Sequence, residues 1–443
     1  MRVLFLASRE LTGPMTGRKQ ALRTVLESLA ANDCQIVLAA FGADREDHLQ
    51  ALARWNVVDV IPLRRPGLLA IAWNLLWRFI FQGMTANECL FYSSGNLRIL
   101  RDHLQAGPID LVVCDMLRLA PYAAQLGKPW HLDLDDLLSQ RYRNLAAGNQ
   151  ANDQLLGFYD SMLPGFVRRF AGWLARRCLP LEVTRMARRE EQWSRAAASV
   201  SLVAPHEAAA FSRRLGIPVL CLPMRAQFPP PGFQSPPSTA GMVFLGGLDY
   251  QPNLDALRYY RQQVWPVLCE LGLGDIPLHV LGKAPDATRQ EFADCPGIVL
   301  HGYVDDLSQE LCRYRLFLAP ITHGTGIKTK VLDALGHGLP LVTTSKGIEG
   351  IGVQHELHCL VADTPTAIAQ AIRRLWNEPA LATQLARRGQ QHVREHFSGE
   401  VLRNRWRDVL RPYFSEGRSI ATTRWSAIVT EPDRKPPLSN SSA

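Results

Sequence analysis

The stretch LFLAPITHGTGIKTKVLDALGHGLPLVTT, Leu316–Thr344, carries the pattern on which the fold turns. Leu316–Ala319 is a continuous apolar run that predicts a buried strand, and Pro320 ends it. Gly324 and Gly326 allow the backbone a tight turn. From Ile327 onward the spacing Ile327, Val331, Leu332, Leu335 is helical. Gly338 and Pro340 stop that helix, and LVTT begins the next strand.

A glycine-rich turn from strand to helix is an anion site, because free backbone N–H groups and the positive helix end face the ligand. Lys328 and Lys330 fall in the first turn, where cations oppose the helix dipole unless an anion binds nearby. Asp333, one turn later, is placed to accept hydrogen bonds from sugar hydroxyls. Phosphate plus ribose is a nucleotide. The same residues also read as a plain glycine turn with solvated lysines. There is no GxxxxGK[ST], and no GxGxxG follows the first strand.

The alternation of apolar strand and amphipathic helix runs through the whole chain, twice over. The first half reads RVLFLAS, a helix from Gly17 to Ala31, QIVLAAF, VVDVIPL, DLVVCD, PWHLDLD and SVSLVAP. The second reads MVFLGGL, a helix from about Asn253 to Leu271, LHVLG, IVLHGYV, LFLAPI, PLVTT and HCLVAD. Short continuous apolar strands between helices imply parallel sheets covered on both faces. Between the halves, Pro223–Gly241 is a proline-rich linker. The expected organisation is an N-terminal domain 1–222, a linker 223–241, a C-terminal domain 242–395, a helix 396–415 and a disordered tail 416–443. Open parallel sheets bind ligands beyond the carboxyl ends of their strands, so the cleft between the domains is the default site.

The chain of 443 residues is long enough for two cores, and its 47% hydrophobic and 20% charged composition fits a globular α/β protein. Nine scattered cysteines without a CxxC pair predict reduced thiols in the cytoplasm. The longest apolar run, Gly67–Met84, contains Asn74 and Arg78; it predicts a mostly buried helix, with a surface-bound membrane helix as the alternative. The net charge of +8 is concentrated in the first half, notably in eight arginines between Arg168 and Arg195. Interleaved with Phe170, Trp173 and Leu174, they predict either a solvated helix face or contact with an anionic membrane surface. No nucleic-acid motif accompanies the charge.

MVFLGGLDYQPNLDALRYYRQQVWPVLCE, LHVLGKAP, VLHGYVDDL and the opening stretch together closely resemble the C-terminal half of the group 1, retaining, GT-B fold glycosyltransferases. They look most like the bacterial subgroup that makes exopolysaccharides and other surface glycans. MRVLFLASRELTGPMTGRKQALRTVLESLA, VVCDMLRLAPYA and HLDLDDLLSQRY resemble the N-terminal half more loosely. The resemblance covers roughly residues 1–415.

It implies an α/β, GT-B architecture: two doubly wound Rossmann-like domains facing across a cleft. The C-terminal domain would hold a nucleotide-diphosphate sugar and the N-terminal domain a glycan or lipid-linked acceptor, with transfer under retention. Asp333 takes the family's ribose-binding position, and Lys328 and Lys330 would neutralise the diphosphate. The loop GGLDYQPN would approach the diphosphate through Gly247 and Asn253, the latter also a plausible helix cap. Tyr303 and Val304 would meet the base, and Gly282 would let the nucleotide come close. Two family glutamates eight positions apart read Thr325 and Asp333 here. The usual Arg and Lys after the first C-terminal strand are absent.

In the loop TGPMTGR, Gly13, Gly17 and Arg18 would reach over the diphosphate; a plain strand–helix loop is the alternative. Asp135 and Asp136 would bond a hydroxyl or cap a helix, and His131 reads as a core histidine. His323 would make a polar contact with the donor, and Glu349 in SKGIEGI would bond a hydroxyl. Asp136, His323 and Lys330 are the catalytic candidates. In the family the leaving phosphate helps accept the acceptor proton, so no protein nucleophile is expected, nor any cofactor or metal. The competing readings are a catalytically inactive nucleotide-sugar-binding scaffold and a GT-B sugar-nucleotide epimerase. A cytoplasmic enzyme, peripheral at the inner face of the plasma membrane, is the expectation.

Overall fold

The computed structural model describes residues 1–13, 17–147, 165–230, 240–324 and 326–414. Thr325, residues 231–239 of the linker and the expected tail lie outside the described residues.

The first sheet contains β1 (Arg2–Ala7), β2 (Gln35–Phe41), β3 (Val57–Leu63), β4 (Leu111–Asp115), β5 (Trp130–Asp133), β6 (Ser199–Leu202) and β7 (Leu220–Cys221). Their order is β3-β2-β1-β4-β5-β6-β7, and every pairing is parallel. The second sheet contains β8 (Ala240–Leu245), β9 (Leu278–Leu281), β10 (Ile298–Gly302), β11 (Tyr314–Ala319), β12 (Leu341–Thr343) and β13 (Leu360–Val361), in the order β10-β9-β8-β11-β12-β13, again parallel. Central strands are apolar along their length because helices cover both faces: Val3 to Ala7 and Leu316 to Ala319 are all buried. Sequence reading missed β7, whose two residues lie between Pro218 and Pro223 and carry no periodicity.

The C-terminal helices return across the molecule. The helix Pro379–Phe397 packs on the second domain, and Ser398 then caps a further helix, Gly399–Leu410, through its side chain. That last helix belongs to the first domain's core: Trp406, Val409 and Leu410 pack with Val3, Phe5 and Leu22. Asn32 Nδ2 donates to the Arg403 carbonyl at 3.0 Å, and Arg405 donates to the Cys221 carbonyl at 2.9 Å. The chain therefore ties its two domains together twice, through the linker and through this helix.

Two sequence expectations need correction. The run Gly67–Met84 is not a buried helix. It forms the helix Leu68–Trp73 and a wider π-helical turn, Asn74–Phe79, with Leu69 89% exposed and Phe81 68% exposed. Within the basic run, Arg185 and Arg189 turn inward rather than forming one solvated face. Arg189 pairs with the fully buried Glu88 at 2.7 Å, and Arg185 donates to the carbonyls of Phe79 and Met84. The side chains of residues 165–176 lie outside the described set. Among the described residues no helix is long and apolar enough to cross a membrane.

Candidate functional site

Each sheet reverses its strand order once, between β1 and β4 in the first and between β8 and β11 in the second. Loops leaving the carboxyl ends of strands at such points diverge and open a crevice. Here both crevices face one another. The first domain contributes Arg9, Arg18, Met116, Arg118, Asp135, Asp136 and Arg141 to the shared cleft, and the second contributes Tyr250, Gly326, Ile327 and Thr329.

The first wall gathers arginines. Arg9 follows β1 by two residues and Arg118 follows β4 by three. Arg18, in the first turn of the helix Gly17–Ala30, is held by Asp115 and by Asp135, the latter at 2.7 Å. Arg141 Nε donates to Asp136 Oδ2 at 2.8 Å. Arg9 and Arg118 have no carboxylate partner among the described residues. Arg118 lies over the Phe91 ring at 4.9 Å and its buried Nε is unpartnered. Burial, and then neighbouring arginines, lower both guanidinium pKa values, that of Arg118 to about 10. Like charges held together away from water raise the energy of the empty site, and a bound anion relieves it.

Two residues of this wall have positive φ without being glycine: Met116 at 65° and Asp135 at 67°. Both lie just past a strand that borders the cleft. Such backbone costs about 1–3 kcal/mol per residue and persists where the surroundings enforce it.

The second wall is the glycine turn. Gly324 (φ 120°) and Gly326 (φ 70°) occupy backbone regions that a side chain disfavours. The helix runs Thr329–Gly336, starting two residues later than its apolar spacing suggests, with Lys328 at the N-cap. The Lys328 side chain makes no capping bond there; its ammonium returns to the Gly326 carbonyl. Its pKa falls to about 8, chiefly through burial, opposed by Glu349, Glu207 and Asp136. Two of those acids belong to the first domain, so Lys328 faces it across the cleft.

Several residues chosen from the sequence stand elsewhere. Lys330 turns into its own domain, bonded to Asn253 and 4.5 Å above the Phe244 ring, and burial lowers its pKa to about 7. It is not among the residues lining the cleft. Asp333 is buried with its carboxylate turned to the linker, accepting from the Gln227 N–H at 3.2 Å; burial raises its pKa to about 7. The linker crosses the helix at Gly336, where an added Cβ would lie 2.1 Å from the Gln227 carbonyl oxygen. Asn253 is inside its helix, Gln251–Tyr259, and not its cap: Tyr250 holds that place, and Asn253 Nδ2 donates to the Gly247 carbonyl at 2.7 Å.

Gly282 admits the protein's own chain, since a Cβ there would meet the Gly246 carbonyl oxygen at 2.4 Å. Tyr303 is exposed just past β10, the outermost strand, while Val304 packs on the second core. His323 Nε2 lies 3.1 Å from Asp255, and Glu349 pairs with Lys346 at 2.6 Å. Gly17 and Gly326 do line the cleft, and Gly13 (φ 80°) lies in the loop before it. His131 is the expected core histidine, bonded to Ser199 and Ser201, with burial lowering its pKa to about 3. Asp133 accepts from Ser201 Oγ at 3.0 Å. Among the described residues no three metal-ligating side chains converge.

Sequence reasoning missed Arg9, Arg118, Arg141, Glu207 and Tyr250. The first four lie downstream of strand carboxyl ends, a signal that the strand pattern itself carries. Tyr250, on the loop after β8, has Arg141 and Asp136 as its electrostatic neighbours across the cleft. Glu207, in the first turn of the helix Pro205–Leu215, has a buried Oε2 without a partner. Burial first, then Asp136, Glu349 and Asp135, raise its pKa to about 7.

A carboxyl group with a raised folded pKa stabilises fully below its unfolded value of about 4.3 and loses that contribution as pH rises through about 7. Glu207→Gln is therefore expected to match wild type near pH 4.5 and to exceed it by about 2 kcal/mol near pH 8. Thermal melts across that range check it; a pH-independent difference would contradict the raised pKa.

The family model described as glycosyl transferases group 1 matches residues 239–378. The match covers the second sheet and the glycine turn of this chain. An uncharacterised 44.6 kDa protein from the cps region of Klebsiella pneumoniae is 27% identical over 139 residues, which are 30% of this chain. The match spans about a third (36%) of that relative's length. Among solved structures, sucrose-phosphate synthase from Thermosynechococcus elongatus superposes with a TM-score of 0.65 at 16% identity, covering 94% of this chain and 99% of that one. HepE from Anabaena, solved with UDP and glucose, gives 0.60 at 13% identity, covering 93% and 100%. The matched segment thus sits in a GT-B fold. It supplies the Lys328 wall of the cleft.

Proposed function

We propose that the protein transfers a sugar from a nucleoside-diphosphate donor, with retention, to a glycan or lipid-linked acceptor of bacterial surface polysaccharide synthesis. The observation that carries this reading is the positive charge of Arg9 and Arg118, without a salt-bridge partner among the described residues, facing the glycine turn and Lys328 across one cleft. Glycosyl transfer needs a leaving diphosphate stabilised where charge develops and an acceptor hydroxyl held nearby. Lys328 and the uncapped helix start at Thr329 suit the phosphates, and the arginine wall suits a second anionic group or the same one in a closed cleft. The leaving phosphate would take the acceptor's proton, so no protein nucleophile is assigned. Asp136, fixed by Arg141, and Asp135 are placed to orient hydroxyls. Side chains supply the countercharge in this scheme, so a chelator is expected to leave transfer unchanged. The HepE complex with UDP and glucose and the cps-region relative support the donor class and the setting. A cytoplasmic location agrees with such a donor.

The test is a thermal-shift panel with UDP, GDP, ADP, CMP, dTDP and NAD on the full chain. One nucleoside diphosphate at about 100 times its dissociation constant is expected to add about 2.7 kcal/mol of stability. Arg9→Met/Arg118→Met is expected to melt higher than wild type when empty, because the repulsion is gone, and to lose part of the nucleotide shift. A shift without transfer or donor hydrolysis would favour the scaffold reading; no shift with any nucleotide would reject the donor site.

A further inference from the structure

Between Asp59 and Glu88 the chain has three arginines and no acidic residue. In this interval Leu69, Trp73, Leu76, Trp77, Ile80 and Phe81 stand between 47% and 89% exposed. Trp73 and Trp77 stack at 6.2 Å with 11° between their planes, and Phe81 follows Trp77 at 4.8 Å. The result is an aromatic ridge along one side of a helix. The polar groups point the other way. Asn74 is buried and donates to the carbonyls of Cys89 and Tyr92 at 3.0 and 2.8 Å, and the Arg78 guanidinium lies 4.2 Å over Tyr92. Arg185, from the long helix Gly165–Ala196, holds the Phe79 and Met84 carbonyls and lies over the Phe79 ring at 4.1 Å. Folding ordinarily buries leucine and tryptophan and exposes asparagine; here the anchors enforce the reverse.

We propose that this ridge docks on an anionic lipid bilayer, with the segment Leu68–Phe81 lying in the boundary between headgroups and acyl chains. Contiguous exposed apolar patches of this kind mark interaction surfaces. Tryptophan suits a membrane boundary because its ring is apolar and its N–H stays wet. Exposed arginines flank the ridge. Arg64 is exposed ahead of it, and beside it the long helix presents Arg177, Leu181 and Arg188 on an exposed face. Such a rim complements anionic headgroups. A two-fold contact between copies would set each patch, arginine rim included, against its own counterpart. The ridge also begins at the cleft: Arg65, three residues before Leu68, lies near enough to Arg9 for their charges to repel. Docking would place the arginine wall at headgroup level, where a lipid-linked acceptor presents its phosphate. The ridge is read from exposure and anchoring alone and does not depend on the transfer reaction. It takes up the surface-bound alternative for Gly67–Met84 and adds it to the basic contact expected of residues 168–195.

The test is co-sedimentation of the full chain with phosphatidylcholine vesicles containing about 30 mol% phosphatidylglycerol, against phosphatidylcholine alone. Wild type is expected to sediment with the anionic vesicles, with quenching of its tryptophan fluorescence by lipids brominated near the headgroup. Trp73→Ser/Trp77→Ser/Phe81→Ser is expected to bind about 100-fold more weakly while keeping its nucleotide-induced thermal shift. Leu69→Gln, at the most exposed position, should weaken binding about tenfold and guards against misfolding of the triple variant. Arg177→Glu/Arg188→Glu should abolish the preference for anionic vesicles. The proposal is overturned if wild type fails to sediment, or if the triple variant sediments as wild type does. A vesicle-free dimer that the triple variant dissociates would overturn it in favour of a second copy.

Discussion

Lys328→Ala is expected to lower kcat/KM for sugar transfer or donor hydrolysis about 100- to 1,000-fold, the effect of removing one preorganised charge from a developing anion. Its ammonium lies on the glycine turn, opposite carboxylates and arginines of the first domain, where a diphosphate would displace its bond to the Gly326 carbonyl. The side chain is half-buried and packs in no apolar core, so the empty protein should melt within about 0.5 kcal/mol of wild type. Lys328→Arg keeps the charge but not the size, and should recover part of the activity. Lys330→Ala separates the two lysines. It deletes a partly buried ammonium bonded to Asn253 and should act on stability before it acts on donor binding. If Lys330→Ala lost donor binding while Lys328→Ala kept it, the orientation described above would be wrong.

Trp406→Ala is expected to cost about 3–5 kcal/mol, a large share of the 5–15 kcal/mol typical of a folded protein. Trp406 is 1% exposed in the first domain's core, edge-on to His131 with ring centres 5.2 Å apart. Its removal leaves a cavity beneath β5 and loosens the helix that brings the chain's end back from the second domain. Calorimetry should show the first domain melting earlier and apart from the second. Trp406→Phe, which fills most of the volume, should cost much less. A single unchanged transition for Trp406→Ala would mean that this helix does not couple the domains.

The sequence showed most of the fold because parallel strands buried on both faces leave continuous apolar runs, and these appear at twelve of the thirteen strands. Periodicity also placed the helices beginning near Gly17, Asn253 and Ile327, missing the start at Thr329 by two residues because Ile327 continues the apolar spacing before the backbone turns helical. The glycine turn was legible for a related reason: positive φ demands particular residue types in a fixed order. The arginine wall was not. Arg9 and Arg118 are more than a hundred positions apart and meet only because β1 pairs with β4. Where Lys330, Asp333 and Asn253 point was not legible, since a helix turns each residue by about 100°, and which side meets the linker or the core depends on packing.

What the sequence determined by itself is the pattern that local chemistry requires: strands, helices, the glycine turn, the linker and the family resemblance of the second domain. What only the tertiary structure decided is where charges and faces end up. It turned Lys328 to the cleft and Lys330 away, gave the Asp333 carboxylate to the linker, and set tryptophans outward over a buried asparagine. Backbone propensity acts over a few residues, whereas burial and charge pairing depend on neighbours brought together from distant parts of the chain.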